Sequence, residues 1–214
     1  MCIGSWMSAA TFTNSSTAFD WPTKTHWVDL IMPDFYQQGL AVLPQAIPAD
    51  LCQALLSEVQ QRSDLTAAGV GRAGQLHQNS DIRRDHTVWL DGSTAPQQAY
   101  LALMLQLQQQ MNRQCFLGLT HHECHFALYR RGDFYQTHLD AFRGRSNRVL
   151  TTVLYLNDVQ SGGELVIYDE NEVELTRVLP QAGLLVTFES ERFPHQVLPA
   201  EFERFSIAGW FRKD

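Results

Sequence analysis

Near residue 120 the apolar residues of this chain change their spacing, and that change limits what it can fold into. Before it, apolar side chains recur with the helical period; after it, they alternate with polar ones in short runs. The runs are His125 to Tyr129, Val149 to Leu156, Glu164 to Tyr168, Leu184 to Phe188 and Ser206 to Phe211. Turn signals such as Arg131-Gly132-Asp133, Ser161-Gly162-Gly163 and Gln181-Ala182-Gly183 separate them. Helices followed by many short strands predict an α+β domain whose β part is a sandwich or barrel.

Upstream, Pro48-Ala49-Asp50 opens a helix with Leu51, Leu55, Leu56 and Val59 on one face, and Thr94-Ala95-Pro96 opens a second. The second carries Leu101, Leu103, Leu105 and Leu107, apolar around much of its girth, and is expected to lie against a sheet. Thr66 to Ser80 reads as a long loop. Residues 1–20 are rich in Ser, Thr and Ala and are expected to be disordered. Residues 21–214 read as a single domain, with helical support to about residue 120 and strands from 121 to 214. The acidic run Asp169, Glu170, Glu172 and Glu174 reads as a solvated hairpin edge.

Composition narrows the function. A net charge of −7 argues against a sequence-independent grip on nucleic acid or anionic membrane. No apolar run approaches the ~20 residues of a membrane span. No secretory signal is read in the first residues, so a cytoplasmic protein, working as a monomer, is expected. Cys2, Cys52, Cys115 and Cys124 form no C-x-x-C pair and read as small buried hydrophobes.

Two motifs mimic chemistry. Gly69-Val70-Gly71-Arg72-Ala73-Gly74 has the letters of a dinucleotide fingerprint, but a helix precedes it and a polar run follows, so a flexible loop is the better reading. Such a loop still suits a lid. His121-His122-Glu123-Cys124-His125 looks like a metal nest, yet on a strand its neighbours point to opposite faces and cannot converge on one ion.

The informative constellation lies further on. His138 and Asp140, two apart in Tyr135-Gln136-Thr137-His138-Leu139-Asp140, would share one face of a strand. With a distant His195, they offer two imidazoles and one carboxylate, a set that holds Fe(II) on one octahedral face and leaves adjacent positions open. Nine residues past His195 comes Arg204, which on a strand shares a face with Ser206, Ala208 and Trp210. An inward Arg in an apolar strand is costly unless it meets an anion, and a ligand carboxylate or an internal Glu would each supply one.

Together these residues resemble the Fe(II)- and 2-oxoglutarate-dependent oxygenases, and within them the prolyl 4-hydroxylases of the hypoxia-inducible-factor type with their bacterial relatives. The likeness runs from about Val42 to the C-terminus. Its further cues are Asp81-Ile82-Arg83-Arg84-Asp85, Trp89, Tyr129, Tyr155-Leu156-Asn157, Gly162-Gly163-Glu164-Leu165 and Trp210. It implies a double-stranded β-helix (jelly-roll) core packed by the N-terminal helices. His138, Asp140 and His195 would hold iron, and Arg204 would bind the distal carboxylate of 2-oxoglutarate, helped by Tyr155 and Tyr129. Arg83, Asp85, Arg148 and Trp210 match positions that surround the protein substrate, and the Gly69–Gly74 loop would close over it. The segment from Tyr129 to His138 is one residue shorter than in the animal enzymes, and Ala141-Phe142 replaces their Asn-Pro.

The activity so implied is hydroxylation of a prolyl residue in a protein, using dioxygen and releasing succinate and CO2, with ascorbate as a further cofactor. Bacterial members of the family point to elongation factor Tu as the partner. Two other readings stay open: an oxygenase acting on another side chain or a small molecule, and a non-enzymatic jelly-roll module that senses a carboxylate. Arg83 and Asp85 are also open to a plainer reading, as a surface ion pair of little consequence.

Overall fold

The computed structural model describes residues 26–69, 79–141 and 147–213. The N-terminal 20 residues and Gly71 and Gly74 of the expected lid lie outside them. Helix α1 (His26–Gln38) leads into strand β1 (Leu40–Leu43), helix α2 (Ala49–Gln61) and the short strands β2 (Thr66–Ala67) and β3 (His86–Trp89). Helix α3 (Ala95–Cys115) comes next, then strands β4 (His121–Tyr129), β5 (Tyr135–His138) and β6 (Arg148–Tyr155). The chain ends with β7 (Leu165–Tyr168), β8 (Glu174–Val178), β9 (Leu185–Glu189), β10 (His195–Val197) and β11 (Arg204–Arg212).

The strands make two antiparallel sheets, one of seven strands in the order β1-β9-β6-β11-β4-β3-β2 and one of four in the order β5-β10-β7-β8. Strand parity sorts the large sheet into two faces. Cys124, Phe126, Leu128, Leu150, Leu154, Ile207 and Phe211 join the buried core shared with the helices. Ala127, Tyr129, Val153, Tyr155, Val186 and Phe188 face the other way, against Leu165, Ile167 and Val197 of the small sheet. The molecule is thus a helical layer, a large sheet and a small sheet, the α+β arrangement expected. No helix among the described residues is long and apolar enough to cross a membrane.

Both expected helices form, and Thr94 caps α3 with its hydroxyl accepting from the Gln97 amide. The expectation that α3 is apolar around its girth fails. It buries one face through Tyr100, Leu103, Met104, Leu107 and Met111, while Leu105 is 50% exposed. Helix α1 was not anticipated, although Val28, Ile31, Met32 and Phe35 are buried at helical spacing; Pro33 sits inside it. The expected loop from Thr66 begins as strand β2, paired to β3. Asp169 caps the β7–β8 turn by accepting from the amides of Asn171 and Val173, and β8 is the outer strand of the small sheet.

Candidate metal centre and ligand cavity

Between the sheets lies a cavity of about 950 Å³, and every residue singled out for chemistry lines it apart from Tyr155, which is fully buried beside it. The inner face of β4, β11 and β6 forms its floor in registered rows. Tyr129 pairs with Arg204; Ala127, Ser206 and Tyr155 form the next row; Glu123, Trp210 and Thr151 a later one; and His121, Arg212 and Arg148 the last.

His138 and His195 are direct cross-strand partners on β5 and β10, which sets their rings 4.3 Å apart. Asp140 does not share a strand face with His138 as expected: β5 ends at His138, and Asp140 lies in a bend beyond it. The bend nonetheless brings the carboxylate to both rings, with Oδ1 3.6 Å from His138 Nε2 and Oδ2 3.4 Å from His195 Nε2. Candidate ligand atoms of the three residues all lie within 4.8 Å of one another.

The surroundings fix how these groups present themselves. His138 Nδ1 lies 2.9 Å from the Gln136 carbonyl and His195 Nδ1 2.9 Å from the Phe193 carbonyl. A carbonyl only accepts, so each Nδ1 carries a proton and each Nε2 is the ring nitrogen that faces Asp140. Burial lowers the His195 imidazole to about 4, and neighbouring His138 adds to the effect. Burial pushes the Asp140 carboxyl up, but His195 and His138 outweigh it and hold the group well below the usual carboxylate range. Ser190 donates to Thr151, whose hydroxyl in turn donates to Asp140 Oδ2 at 2.8 Å. Two imidazoles with Nε2 turned inward and a fixed carboxylate on one side of a cavity fit a divalent transition metal with open positions.

At the deep end Arg204 is 2% exposed. Its guanidinium lies 4.6 Å from the Tyr129 ring and 4.9 Å from the Tyr155 ring, and donates to the Ser206 hydroxyl at 3.2 Å. Among the described residues no carboxylate pairs with it, and Arg204 Nε and the Tyr155 hydroxyl have no hydrogen-bond partner. The reading of Arg204 as a structural partner of an internal Glu therefore fails. Gly163, at φ +68°, makes room here, since a Cβ would lie 3.1 Å from Arg204 Cδ. A buried cation with orphaned donors beside a metal-ligand set fits an anionic small molecule such as a 2-oxo acid.

At the other end the walls are charged and aromatic. Arg83 donates to Asp85 through Nε and Nη2 at 2.5 and 2.8 Å and lies 4.6 Å from the Tyr135 ring. Asp85 is fully buried, so the alternative of a surface ion pair is overturned. Burial works against the Arg83 charge, but Asp85 more than compensates and holds the guanidinium protonated. Arg148 lies 3.7 Å from the Trp210 ring and pairs with Glu123. The five-residue cluster at His121–His125 splits as strand parity required. His122 is half-buried and packs against Phe211 on the helix side, whereas Glu123 and His125 line the cavity, His125 packing between Trp89 and Trp210. Sequence reasoning missed Thr151, Ser190, Glu123 and His125 as parts of the site. For Glu123 and His125 the signal was present: they share strand parity with Tyr129.

Known proteins match this geometry. Residues 124–212 match the family model described as the 2OG-Fe(II) oxygenase superfamily. The crystal structure of a prolyl-4-hydroxylase from Pseudomonas putida superposes with a TM-score of 0.79 at 39% identity, covering 87% of this chain and 99% of that one. A prolyl hydroxylase from Trichoplax adhaerens, solved with a hypoxia-inducible-factor oxygen degradation domain peptide, shares the fold with a TM-score of 0.77 at 22% identity over 88% of this chain and 90% of that one. Egl nine homolog 1 of Mus musculus is 27% identical over 201 residues, 86% of this chain and 49% of the relative. The chain thus spans about half the length of that curated relative. It belongs to the 2OG-Fe(II) oxygenases, in their prolyl 4-hydroxylase-like group, with a double-stranded β-helix core.

Proposed function

We propose that this protein hydroxylates a prolyl residue in a protein substrate, with Fe(II) at His138, Asp140 and His195 and 2-oxoglutarate at Arg204. The observation that carries the reading is the pairing of Arg204, buried without a carboxylate partner among the described residues, with the two-His, one-Asp cluster in the same cavity. Iron, dioxygen and 2-oxoglutarate would supply the oxidation, placing one oxygen atom on the substrate and the other in succinate as CO2 leaves.

The protein's own groups bind, orient and exclude water. His138 and His195, held by backbone carbonyls, would offer Nε2 to the metal, and Thr151 holds Asp140 by one oxygen. Arg204 and the Tyr155 hydroxyl would take one carboxylate of 2-oxoglutarate, leaving the 2-oxo acid end for the metal. Arg83, Asp85, Arg148 and Trp210 would flank the substrate segment. The 39% identity to the Pseudomonas enzyme favours a prolyl target over other side chains. Elongation factor Tu is the first candidate substrate, taken from the bacterial side of the family, with the cytoplasm as the compartment.

Incubation of elongation factor Tu with enzyme, Fe(II), 2-oxoglutarate and ascorbate should give a one-oxygen mass gain mapped to a proline, with succinate released in step. An Asp140→Ala variant should give neither. Gain on other proteins of a proteome but not on elongation factor Tu would reassign the substrate. Succinate release without hydroxyproline on any protein would turn the reading to a small-molecule substrate, and neither product would leave a carboxylate-binding module.

A further inference from the structure

Beyond the residues already assigned, we propose that Glu123 is a positioning residue that sets Arg148 flat against Trp210 as one wall of the substrate end of the cavity. The inference rests on the hydroxylase reading only for what that wall binds. Register explains why a carboxylate is needed there. Arg212 and Arg148 are direct neighbours on β11 and β6, and like charges in that relation repel. Glu123, on the other side of β11, accepts from both: Arg148 Nε and Nη2 reach Oε1 at 3.1 and 3.0 Å, and Arg212 Nη1 reaches Oε2 at 2.8 Å.

Each carboxylate oxygen thus serves one arginine. The two contacts on Oε1 use one edge of the Arg148 guanidinium, which fixes the plane of the group as well as its place. The ring of Trp210 then lies 3.7 Å from its central carbon, and Trp210 is itself the registered partner of Glu123. Asn147 completes the set by accepting from Arg212 Nε at 2.9 Å. The Glu123, Arg148 and Arg212 side chains are a quarter to a third exposed, against 2% for Arg204, so they stand toward the open end where a protein segment would enter. A guanidinium held in this way meets a peptide without the entropy loss of ordering a long free side chain.

Two measurements test this. The first needs no turnover. In 15N NMR spectra of the metal-free protein, the Arg148 Nε–H resonance, assigned by its loss in Arg148→Lys, should be ring-current shifted by Trp210 and slow to exchange. Glu123→Gln should move it and speed its exchange; an unmoved resonance overturns the proposal. Should Glu123→Gln fail to fold, Glu123→Asp carries the same test, because its shorter stem cannot serve both arginines.

The second uses elongation factor Tu as the probe substrate. Glu123→Gln should raise its KM about ten-fold with kcat within about two-fold, and Glu123→Gln with Arg148→Ala should be no worse than Arg148→Ala alone. Unchanged KM, or additive effects, overturns the proposal. If wild-type enzyme leaves elongation factor Tu unmodified, that choice of substrate falls, while the NMR result still decides the role of Glu123.

Discussion

Arg204 and Arg83 are both held against the same cavity, and they settle their charge in opposite ways. Arg83 has a private carboxylate, Asp85, fully buried and bound through two nitrogens. Arg204 has two aromatic rings and one hydroxyl, and no carboxylate among the described residues. The first arrangement is complete within the protein and acts as a rigid wall. The second is electrically unfinished among the described residues, and an anionic ligand would finish it. The open end of the cavity is therefore shaped in advance, while the deep end is held ready at a cost in stability.

The largest test lies between the two ends. His138→Ala, Asp140→Ala and His195→Ala should each abolish the visible charge-transfer band that wild type should show with Fe(II) and 2-oxoglutarate under anaerobic conditions. A band that survives Asp140→Ala would place the metal elsewhere and leave the two arginines unrelated.

The contrast itself predicts opposite signs for stability. Asp85→Ala leaves the Arg83 charge buried and unpaired, and should destabilise the protein by about 3–5 kcal/mol in denaturant unfolding. Arg204→Met removes an uncompensated charge, so the ligand-free protein should unfold no more easily than wild type. The same variant should bind 2-oxoglutarate more weakly by about 1.5–3 kcal/mol, the scale of hydrogen bonds to a charged group, with manganese replacing iron in the titration. Loss of stability in Arg204→Met with unchanged affinity would show that Arg204 is a structural residue after all.

How much of this was legible in the sequence follows from which interactions are local. Strand parity put Arg204, Ser206 and Trp210 on one face, and the structure agrees, because parity needs no partner strand. The pairing of His138 with His195 depends on the register between β5 and β10, which joins residues 57 apart, and no short window of sequence contains it. Strands β1 and β10, with four and three residues, are too short to show alternation. Helix α1 shows the reverse problem: its apolar spacing is local and legible, and burial of Val28, Ile31, Met32 and Phe35 outweighs the low helix propensity of an interior Pro33. Parity with Tyr129 puts Glu123 on the cavity side, but its charge partners sit on two other strands, and no local pattern shows that pairing.

The smallest expected effect separates a cost of backbone shape from a cost to the unfinished end of the cavity. Gly163 and Gly132 both stand at positive φ, +68° and +87°, where any side chain brings strain of about 1 kcal/mol. Around Gly132 a new Cβ would meet nothing within 4 Å, whereas at Gly163 it would lie 3.1 Å from Arg204 Cδ and 3.6 Å from the Ala200 side chain. Gly132→Ala should therefore lower stability by the backbone term alone and leave 2-oxoglutarate affinity as it was. Gly163→Ala should add to that a shift of the Arg204 stem by a few tenths of an ångström, enough to weaken 2-oxoglutarate binding about three- to ten-fold. Because Arg204 has no carboxylate to hold it among the described residues, that small push is opposed only by the rings of Tyr129 and Tyr155 and by one hydrogen bond to the Ser206 hydroxyl. Equal affinities in the two variants would mean that the deep end tolerates displacement, and that the ligand rather than the protein sets the position of Arg204.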